Sequence, residues 1–334
     1  MKKIAINGFG RIGKLAFRML MNNDEYSVVA INSHAKSEDI AYMLKYDTIH
    51  RTLNNVDISF NDEGIIVNGK FTKILQIDDP KDYPWKDLGV DLVLDCTGAF
   101  TKREDAYKHI EAGASYVLIS APGKGEMKTI VYGVNDDILT KDDQIVSSAS
   151  CTTNCLAPVL NLIERFIGIE SGFMTTVHAY TNDQNTLDGS HKKGIASRRG
   201  RAAAENIVPA STGAASAIGL VIPSLKGKLD GSAFRVPTAD GSVIDLSLVL
   251  QRKTTKEEIN AIFANYQDEI LKFTMDPVVS SDIIGSTCGA LVDGSLTNVL
   301  EENPKMVKIV AWYDNEYGYT AQMIRTMDKL LSLK

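Results

Sequence analysis

A cysteine within a run of small and hydroxyl-bearing residues is the first candidate for chemistry in this chain. The run extends from Ser148 to Cys155, and Cys151 precedes an apolar stretch that begins at Leu156. Apolar residues recur there at helical spacing, so we expect Cys151 to lie where a loop becomes a helix. The free N–H groups and positive dipole end of a helix favour a thiolate over a thiol. The sequence therefore predicts a nucleophilic role for Cys151, although an isolated buried cysteine is more often inert.

A glycine motif near the N-terminus is the second candidate. A short apolar strand leads into Gly8-Phe9-Gly10-Arg11-Ile12-Gly13, and the residues that follow repeat at the spacing of one helix face. Such glycines permit a tight turn and let a pyrophosphate approach the helix N-terminus. The succession of strand, motif and helix predicts a dinucleotide site. We assign this site to Gly8, Gly10, Arg11, Ile12 and Gly13.

The residue that follows the second predicted strand bears on the choice of dinucleotide. Ser33 lies 20 residues past Gly13, where an NAD-selective site usually places a carboxylate on the ribose 2′-hydroxyl. Without that carboxylate nothing repels a 2′-phosphate, and Ser33, His34 or Lys36 can hydrogen-bond one. Alternatively, Asn32 or Ser33 bonds the ribose of NAD. The sequence leaves NAD and NADP open, with NADP slightly favoured.

Length and composition favour a two-domain cytoplasmic protein. The chain has 334 residues, of which 44% are hydrophobic and 23% charged, with a net charge of −6. This length exceeds one ordinary core, and the negative charge argues against general nucleic-acid affinity. No apolar stretch reaches membrane-spanning length. The four cysteines form no zinc-type pair and indicate a reducing compartment. We expect no metal site.

Alternating strands and helices in the first half predict a doubly wound α/β domain over residues 1–150. Within it, Thr97 and Ser120 each lie at the end of a predicted strand, where ligands bind in such sheets. The second half adds a histidine, His178, on a predicted strand. It also contains an irregular basic segment that includes Arg198-Arg199-Gly200-Arg201. That segment is either a solvated face or an attractor of phosphate, and residues 211–215 open a helix that offers a second anion site.

These motifs together resemble phosphorylating glyceraldehyde-3-phosphate dehydrogenase of the bacterial type, over essentially the whole chain. The most specific is Ala-Ser-Cys-Thr-Thr-Asn-Cys at residues 149–155. The other matches, in chain order, are Ile6 to Gly13, Thr175 to His178, Ser211 to Ala215, Arg235 to Thr238, and Trp312 to Glu316.

The resemblance implies a role for each matched residue. Cys151 attacks the aldehyde carbonyl to form a hemithioacetal, while His178 lowers the thiol pKa by ion pairing and accepts a proton. Hydride transfer to the nicotinamide gives a thioester, which inorganic phosphate then attacks. The implied binding residues are Thr181 and Arg235 for the substrate phosphate, Ser150, Thr152, Thr212 and Gly213 for the attacking phosphate, Arg199 for sharing phosphate charge, and Asn315 for the nicotinamide carboxamide.

The resemblance also implies an α+β catalytic domain with a mixed sheet at residues 151–314, a final helix (315–334) that completes the first domain, and a homotetramer. Two departures resemble NADP-accepting members: Ser33, and Gly189-Ser190 where many NAD-restricted members have Leu-Pro. Erythrose-4-phosphate dehydrogenase shares most of the motifs and remains an alternative function. A surface-located binding protein is an alternative of another class, which the intact catalytic set opposes.

Overall fold

The computed structural model describes residues 1–194 and 197–333, and this part of the chain divides into two compact units. Unit 1 comprises residues 1–130, 136–150 and 323–333, and unit 2 comprises residues 131–135 and 151–322. The predicted domain bounds stay a prediction. They differ from the compact units in two places, because residues 131–135 belong to unit 2 and the closing helix belongs to unit 1 only from Met323. Lys334, the last residue of that predicted helix, lies outside the described residues.

Unit 1 is built on one largely parallel sheet flanked by helices, which agrees with the predicted doubly wound class. Its elements are β1 (Lys2–Asn7), α1 (Arg11–Leu20), β2 (Tyr26–Asn32), α2 (Ser37–Lys45), β3 (Ile58–Asn61), β4 (Gly64–Val67), β5 (Lys70–Leu75), α3 (Trp85–Leu88), β6 (Leu92–Asp95), α4 (Arg103–Glu111), β7 (Tyr116–Ile119), β8 (Lys128–Thr129) and β9 (Ile145–Ser147). The strand order is β3-β4-β5-β2-β1-β6-β7-β9-β8.

Parallel pairing brings the ends of the central strands of unit 1 to one edge. Asn7 at the end of β1 is in register with Asn32 of β2 and with Asp95 of β6. Below this edge the sheet is apolar, as a strand covered on both faces requires. Side chains such as Ile4 and Ile31 are fully buried, and each contributes about 1.5–3 kcal/mol by leaving water. The core therefore fixes the edge at which the glycine motif lies.

Unit 2 is built on a mixed sheet covered by helices, in agreement with the predicted α+β class. Its elements are α5 (Cys151–Phe166), β10 (Ile169–Ala179), β11 (Val208–Ser211), α6 (Ala214–Val221), β12 (Leu229–Val236), β13 (Ser242–Leu250), α7 (Lys256–Asn265), β14 (Leu271–Thr274), β15 (Ala290–Asp293), β16 (Asn298–Leu300) and β17 (Asn303–Tyr313). The strand order is β11-β12-β10-β13-β17-β15-β14, and β16 pairs with β17.

Central strand β13 shows why this sheet forms. Its residues alternate between fully or nearly fully buried and half-buried positions from end to end, which is the period-2 pattern of a strand with one face on a core. Strands β10 and β17 pair antiparallel on either side of it. The final helix, α8 (Tyr317–Ser332), begins after Asp314, whose carboxylate accepts the N–H groups of Glu316 and Tyr317. Asp314 therefore caps this helix.

Candidate active site

Cys151 is the first residue of α5, as the sequence predicted. Two residues earlier, Ala149 adopts a left-handed backbone conformation with φ of 58°, and its N–H donates to Ser147 Oγ at 3.1 Å. A non-glycine residue in this region costs roughly 1–3 kcal/mol, and such strain is concentrated at functional sites. Cys155, one turn further along α5, is fully buried. Its burial fits a structural role.

The thiol of Cys151 faces the imidazole of His178 from β10. The Sγ atom lies 3.4 Å from Nε2, and Nδ1 of the same ring lies 2.7 Å from the carbonyl oxygen of Ala179. We assign the ring proton to Nδ1, which then donates to this carbonyl. Nε2 is left as an acceptor directed at the thiol. The pair therefore has the geometry of a nucleophile and a general base.

The charges around this pair oppose an imidazolium. Burial, followed by the Arg235 guanidinium, lowers the pKa of His178 to about 3. Burial also raises the pKa of the Cys151 thiol, while Arg235 and the Thr152 hydroxyl act in the opposite direction. These effects favour a neutral thiol beside a neutral imidazole. They do not favour the ion pair that the resemblance implied, because a low-dielectric site with a nearby cation penalises a second positive charge.

Arg235 reaches this site because β12 and β10 pair in parallel with His178 and Arg235 in register. Its Nη1 atom lies 2.8 Å from His178 Nδ1 and donates to the Ala179 carbonyl at 3.0 Å. Nη1 also lies 3.5 Å from Thr181 Oγ1. The Nε atom is buried and has no hydrogen-bond partner among the described residues. A buried donor without a partner is costly.

Arg199, from the basic segment at residues 198–201, places its charge near His178 and Arg235. It lies in a short 3₁₀ turn and pairs with the carboxylate of Asp183. Its positive charge contributes to lowering the pKa values of His178 and Arg235, after the larger effect of burial. Arg201 instead pairs with exposed Asp188 at 2.8 Å. This arrangement supports the choice of Arg199 as the residue that shares phosphate charge.

Tyr313, at the end of β17, is a site residue that the sequence reasoning missed. Its hydroxyl lies 2.9 Å from Thr152 Oγ1 and 2.8 Å from Thr176 Oγ1, and its ring meets that of His178 edge-on at 5.9 Å. Burial raises the pKa of Tyr313, so its proton is retained for hydrogen bonding. Tyr313 belongs to the quoted motif that contains Asn315, which was the available indication of its importance.

The remaining residues predicted for the attacking phosphate lie at the starts of two helices. Thr212 and Gly213 precede α6, where Thr212 Oγ1 accepts the N–H of Ala214 at 3.2 Å. Thr152 is in the first turn of α5, against which α6 packs. Ser150 directly precedes α5 and belongs to unit 1. Helix starts present N–H groups to an anion, so these positions suit the predicted role.

Hydrogen bonds through a buried serine link Asn315 to the backbone of Ala179, the residue that follows His178. Ser242, the first residue of β13, donates from Oγ to Asn315 Oδ1 at 2.6 Å and accepts the backbone N–H of Ala179 at 3.1 Å. Ser242 is fully buried and Asn315 is nearly so. Because Oδ1 of Asn315 accepts this bond, its NH₂ group is oriented as a donor. The sequence reasoning missed Ser242, whose neighbours carry no recognisable motif.

The glycines of unit 1 fit a dinucleotide in three different ways. Gly8 has φ of 93°, and a Cβ there would lie 2.9 Å from the backbone of Thr97. A Cβ on Gly13 would lie 2.0 Å from the carbonyl oxygen of Gly8, whereas one on Gly10 would meet nothing within 4 Å. Gly8 therefore serves the turn, Gly13 serves close packing, and Gly10 leaves open backbone beside the start of α1 for a pyrophosphate.

The other predicted cofactor residues lie around the same sheet edge. Thr97 donates from N and Oγ1 to Asp95 Oδ1 at 3.1 and 2.7 Å, and the N–H of Ser120 donates to the Asp95 carbonyl at 2.9 Å. Ser33 directly follows β2. The Arg11 guanidinium makes two hydrogen bonds to Asp47, at 2.6 and 3.2 Å. Ile12 packs against the apolar core of unit 1.

Comparison with known proteins relates both halves of the chain to one family. Residues 2–103 match the family described as glyceraldehyde 3-phosphate dehydrogenase, NAD binding domain, and residues 150–315 match its C-terminal domain. Curated glyceraldehyde-3-phosphate dehydrogenases from Clostridium acetobutylicum and Clostridium pasteurianum are 51% and 50% identical to it, over 98% of each chain. That of Streptococcus pyogenes serotype M1 is 48% identical, over 98% of this chain and 97% of its own.

Proposed function

Because the chain belongs to the glyceraldehyde-3-phosphate dehydrogenase family, we propose that Cys151 and His178 perform the chemistry that defines this family. The reaction is the NAD(P)-dependent oxidative phosphorylation of D-glyceraldehyde 3-phosphate to 1,3-bisphosphoglycerate, a step of glycolysis and, in reverse, of gluconeogenesis. The single observation that supports the residue assignment best is the Cys151 Sγ to His178 Nε2 distance of 3.4 Å at the start of a helix.

We propose that the first step is attack of the Cys151 sulfur on the aldehyde carbon as the thiol proton passes to His178 Nε2. The proton is delivered to the carbonyl oxygen, which gives a neutral hemithioacetal. In the oxidation step the hydroxyl proton returns to Nε2, the C–H electron pair leaves as hydride, and a thioester remains on Cys151. Bound NAD(P) supplies the hydride acceptor. Burial and the Arg235 charge lower the pKa of His178, so the protonated imidazole readily gives up its proton.

The second half of the reaction is attack of inorganic phosphate on the thioester, which displaces the Cys151 thiolate. We propose Arg235 and Thr181 for the substrate's own phosphate, since Arg235 Nε is buried without a partner among the described residues. Arg199 shares the phosphate charge. The proposed ligands of the attacking phosphate are Ser150, Thr152, Thr212 and Gly213.

For the cofactor we propose that Gly8, Gly10 and Gly13 hold the dinucleotide, together with Arg11, Ile12, Ser33, Thr97 and Ser120, and that Asn315 donates to the nicotinamide carboxamide. The absent carboxylate at Ser33 supports acceptance of NADP as well as NAD, with NADP slightly favoured by that position alone.

We further propose a cytoplasmic homotetramer. Phe173 and Ile207 on unit 2 are 69% and 67% exposed, and covering such large apolar side chains in an interface would be favourable. Among the described residues the structure has no helix with the length and apolarity that crossing a membrane requires. Sedimentation equilibrium tests the assembly, for which a monomer at micromolar concentration would be the contrary result.

The residue assignment is tested by the Cys151→Ser variant. We expect loss of aldehyde oxidation with unchanged cofactor affinity, because a hydroxyl is a far weaker nucleophile and the cofactor residues are untouched. Cys155→Ser is the matched control on the same helix and should retain activity. Comparing glyceraldehyde 3-phosphate with erythrose 4-phosphate, each with and without inorganic phosphate, separates the two sugar-phosphate dehydrogenases. Substantial turnover by Cys151→Ser would contradict the assignment.

A further inference from the structure

The segment that follows β5 is adjacent to Ser33, the position that lacks a carboxylate, and this segment contains Asp78. Strands β2 and β5 pair in parallel, with Asn32 in register with Leu75. The pairing continues one residue past β2, where the Ser33 N–H donates to the Leu75 carbonyl at 2.9 Å. The segment that follows β5 is therefore adjacent to the residues expected to meet the adenosine ribose.

Three hydrogen bonds hold this segment in place. Asn32 binds both backbone groups of Ile77: Nδ2 donates to the carbonyl at 3.0 Å, and Oδ1 accepts the N–H at 3.0 Å. Gln76 Nε2 donates to the carbonyl oxygen of His34 at 3.0 Å. Asn32 is 8% exposed, so the two bonds to Ile77 are shielded from water. These bonds anchor the two residues that directly precede Asp78.

The carboxylate of Asp78 lies next to the His34 side chain. Its Oδ1 atom lies 3.5 Å from His34 Nδ1, and both side chains are largely exposed, at 84% and 92%. The contact engages His34, one of the three residues (Ser33, His34 and Lys36) that the sequence offered as partners for a 2′-phosphate. A second carboxylate, Asp79, follows directly. The local charge next to Ser33 is thus more negative than residues 33–36 alone indicate.

From this geometry we infer that Asp78 is a specificity-determining residue that discriminates against the 2′-phosphate of NADP. The inference rests on the proposed cofactor site at Ser33. A carboxylate supplied by the neighbouring strand repels the phosphate in the way that an acidic residue at the end of β2 does in NAD-selective sites. It also accepts a hydrogen bond from a ribose hydroxyl. NADP use is therefore weaker than Ser33 by itself would allow.

The test uses two ligands that differ only in the phosphate: ADP-ribose and its 2′-phosphorylated form. We expect Asp78→Asn to tighten binding of the 2′-phosphorylated ligand about 3- to 10-fold at low ionic strength, with ADP-ribose affected less than about 2-fold. Added salt should shrink the difference, because both charges are exposed. Asp62→Asn, the same charge change in the β3–β4 turn, is the matched control. The ratio of kcat/KM for NADP to that for NAD should rise by the same factor.

Binding of these fragments requires neither nicotinamide nor Cys151, so the outcome is separable from the proposed reaction. A wild-type chain that turns over no sugar phosphate yet shows the selective change would retain the inference and contradict the proposed function. Equal changes for both ligands, no change, or the same change in Asp62→Asn would overturn the inference.

Discussion

Replacing Ser242 by alanine should weaken NAD binding through Asn315. The Ser242 hydroxyl makes two buried hydrogen bonds, to Asn315 Oδ1 at 2.6 Å and from the Ala179 N–H at 3.1 Å. Its removal leaves a buried acceptor and a buried donor unsatisfied. Each unsatisfied group costs about 1–3 kcal/mol, so the free energy of unfolding should fall by about 2–4 kcal/mol after partial relaxation.

The effect on ligand binding is smaller and selective. Without Ser242 the Asn315 amide is free to rotate, and the hydrogen bond proposed from its NH₂ group to the nicotinamide carboxamide is lost for part of the time. A hydrogen bond contributes about 0.5–1.5 kcal/mol net, which corresponds to a 2- to 12-fold rise in the Kd for NAD. ADP-ribose lacks the nicotinamide, and its Kd should stay the same. Isothermal titration calorimetry with both ligands measures the difference directly.

Ser247→Ala on the same strand is the matched control, since Ser247 is half-buried and lies five residues along β13. It should leave the Kd values of NAD and ADP-ribose unchanged. If Ser242→Ala weakened both ligands equally, its effect would be a general loss of structure. If it weakened neither, Ser242 would not orient Asn315, and the reasoning would be refuted.

Two further predictions concern stability and pH. Although burial acts in the opposite direction, hydrogen bonds from Arg11 and Lys14 lower the pKa of Asp47. These contacts of Asp47 therefore stabilise the fold above the unfolded pKa of about 4, and the stabilisation is lost as the pH falls. Asp47→Asn should lower the free energy of unfolding by about 3 kcal/mol at neutral pH, measured by urea unfolding. Burial, followed by the Asp314 charge, raises the pKa of Asp240 to about 8. The free energy of unfolding should then decline as the pH rises from about 4 to 8, because the folded state keeps a proton that the unfolded state has released, and Asp240→Asn should abolish that decline.

Both predictions have clear contrary results. Unfolding free energies of Asp47→Asn and the parent chain that stay equal at neutral pH would show that the buried carboxylate contributes nothing. A parent chain whose stability is flat from pH 5 to 8, or an Asp240→Asn variant that keeps the decline, would show that Asp240 is ionised in the folded state.

Local patterns in the sequence were sufficient for the features that depend on neighbours along the chain. The start of α5 at Cys151 follows from small residues before an apolar helical repeat, and the turn at Gly8 follows from a glycine between a strand and a helix. Asp314 caps α8 because its side chain reaches N–H groups only two and three residues away. Such contacts are encoded within a few residues, so a single chain segment predicts them.

The features decided by tertiary structure join residues far apart in the chain. Arg235 lies beside His178 only because β12 and β10 pair in register, and its charge adds to the effect of burial in lowering the pKa of His178. Tyr313 and Ser242 were missed because their hydrogen-bond partners lie more than 60 residues away along the chain.

Cofactor selectivity shows the same division. The sequence by itself determined that the position after β2 holds a serine and not a carboxylate. Only the pairing of β2 with β5 decided that Asp78 contacts His34, the residue that follows this serine. Selectivity against a phosphate depends on the total charge within a few ångströms, and sheet pairing sets that charge by bringing together residues more than 40 positions apart.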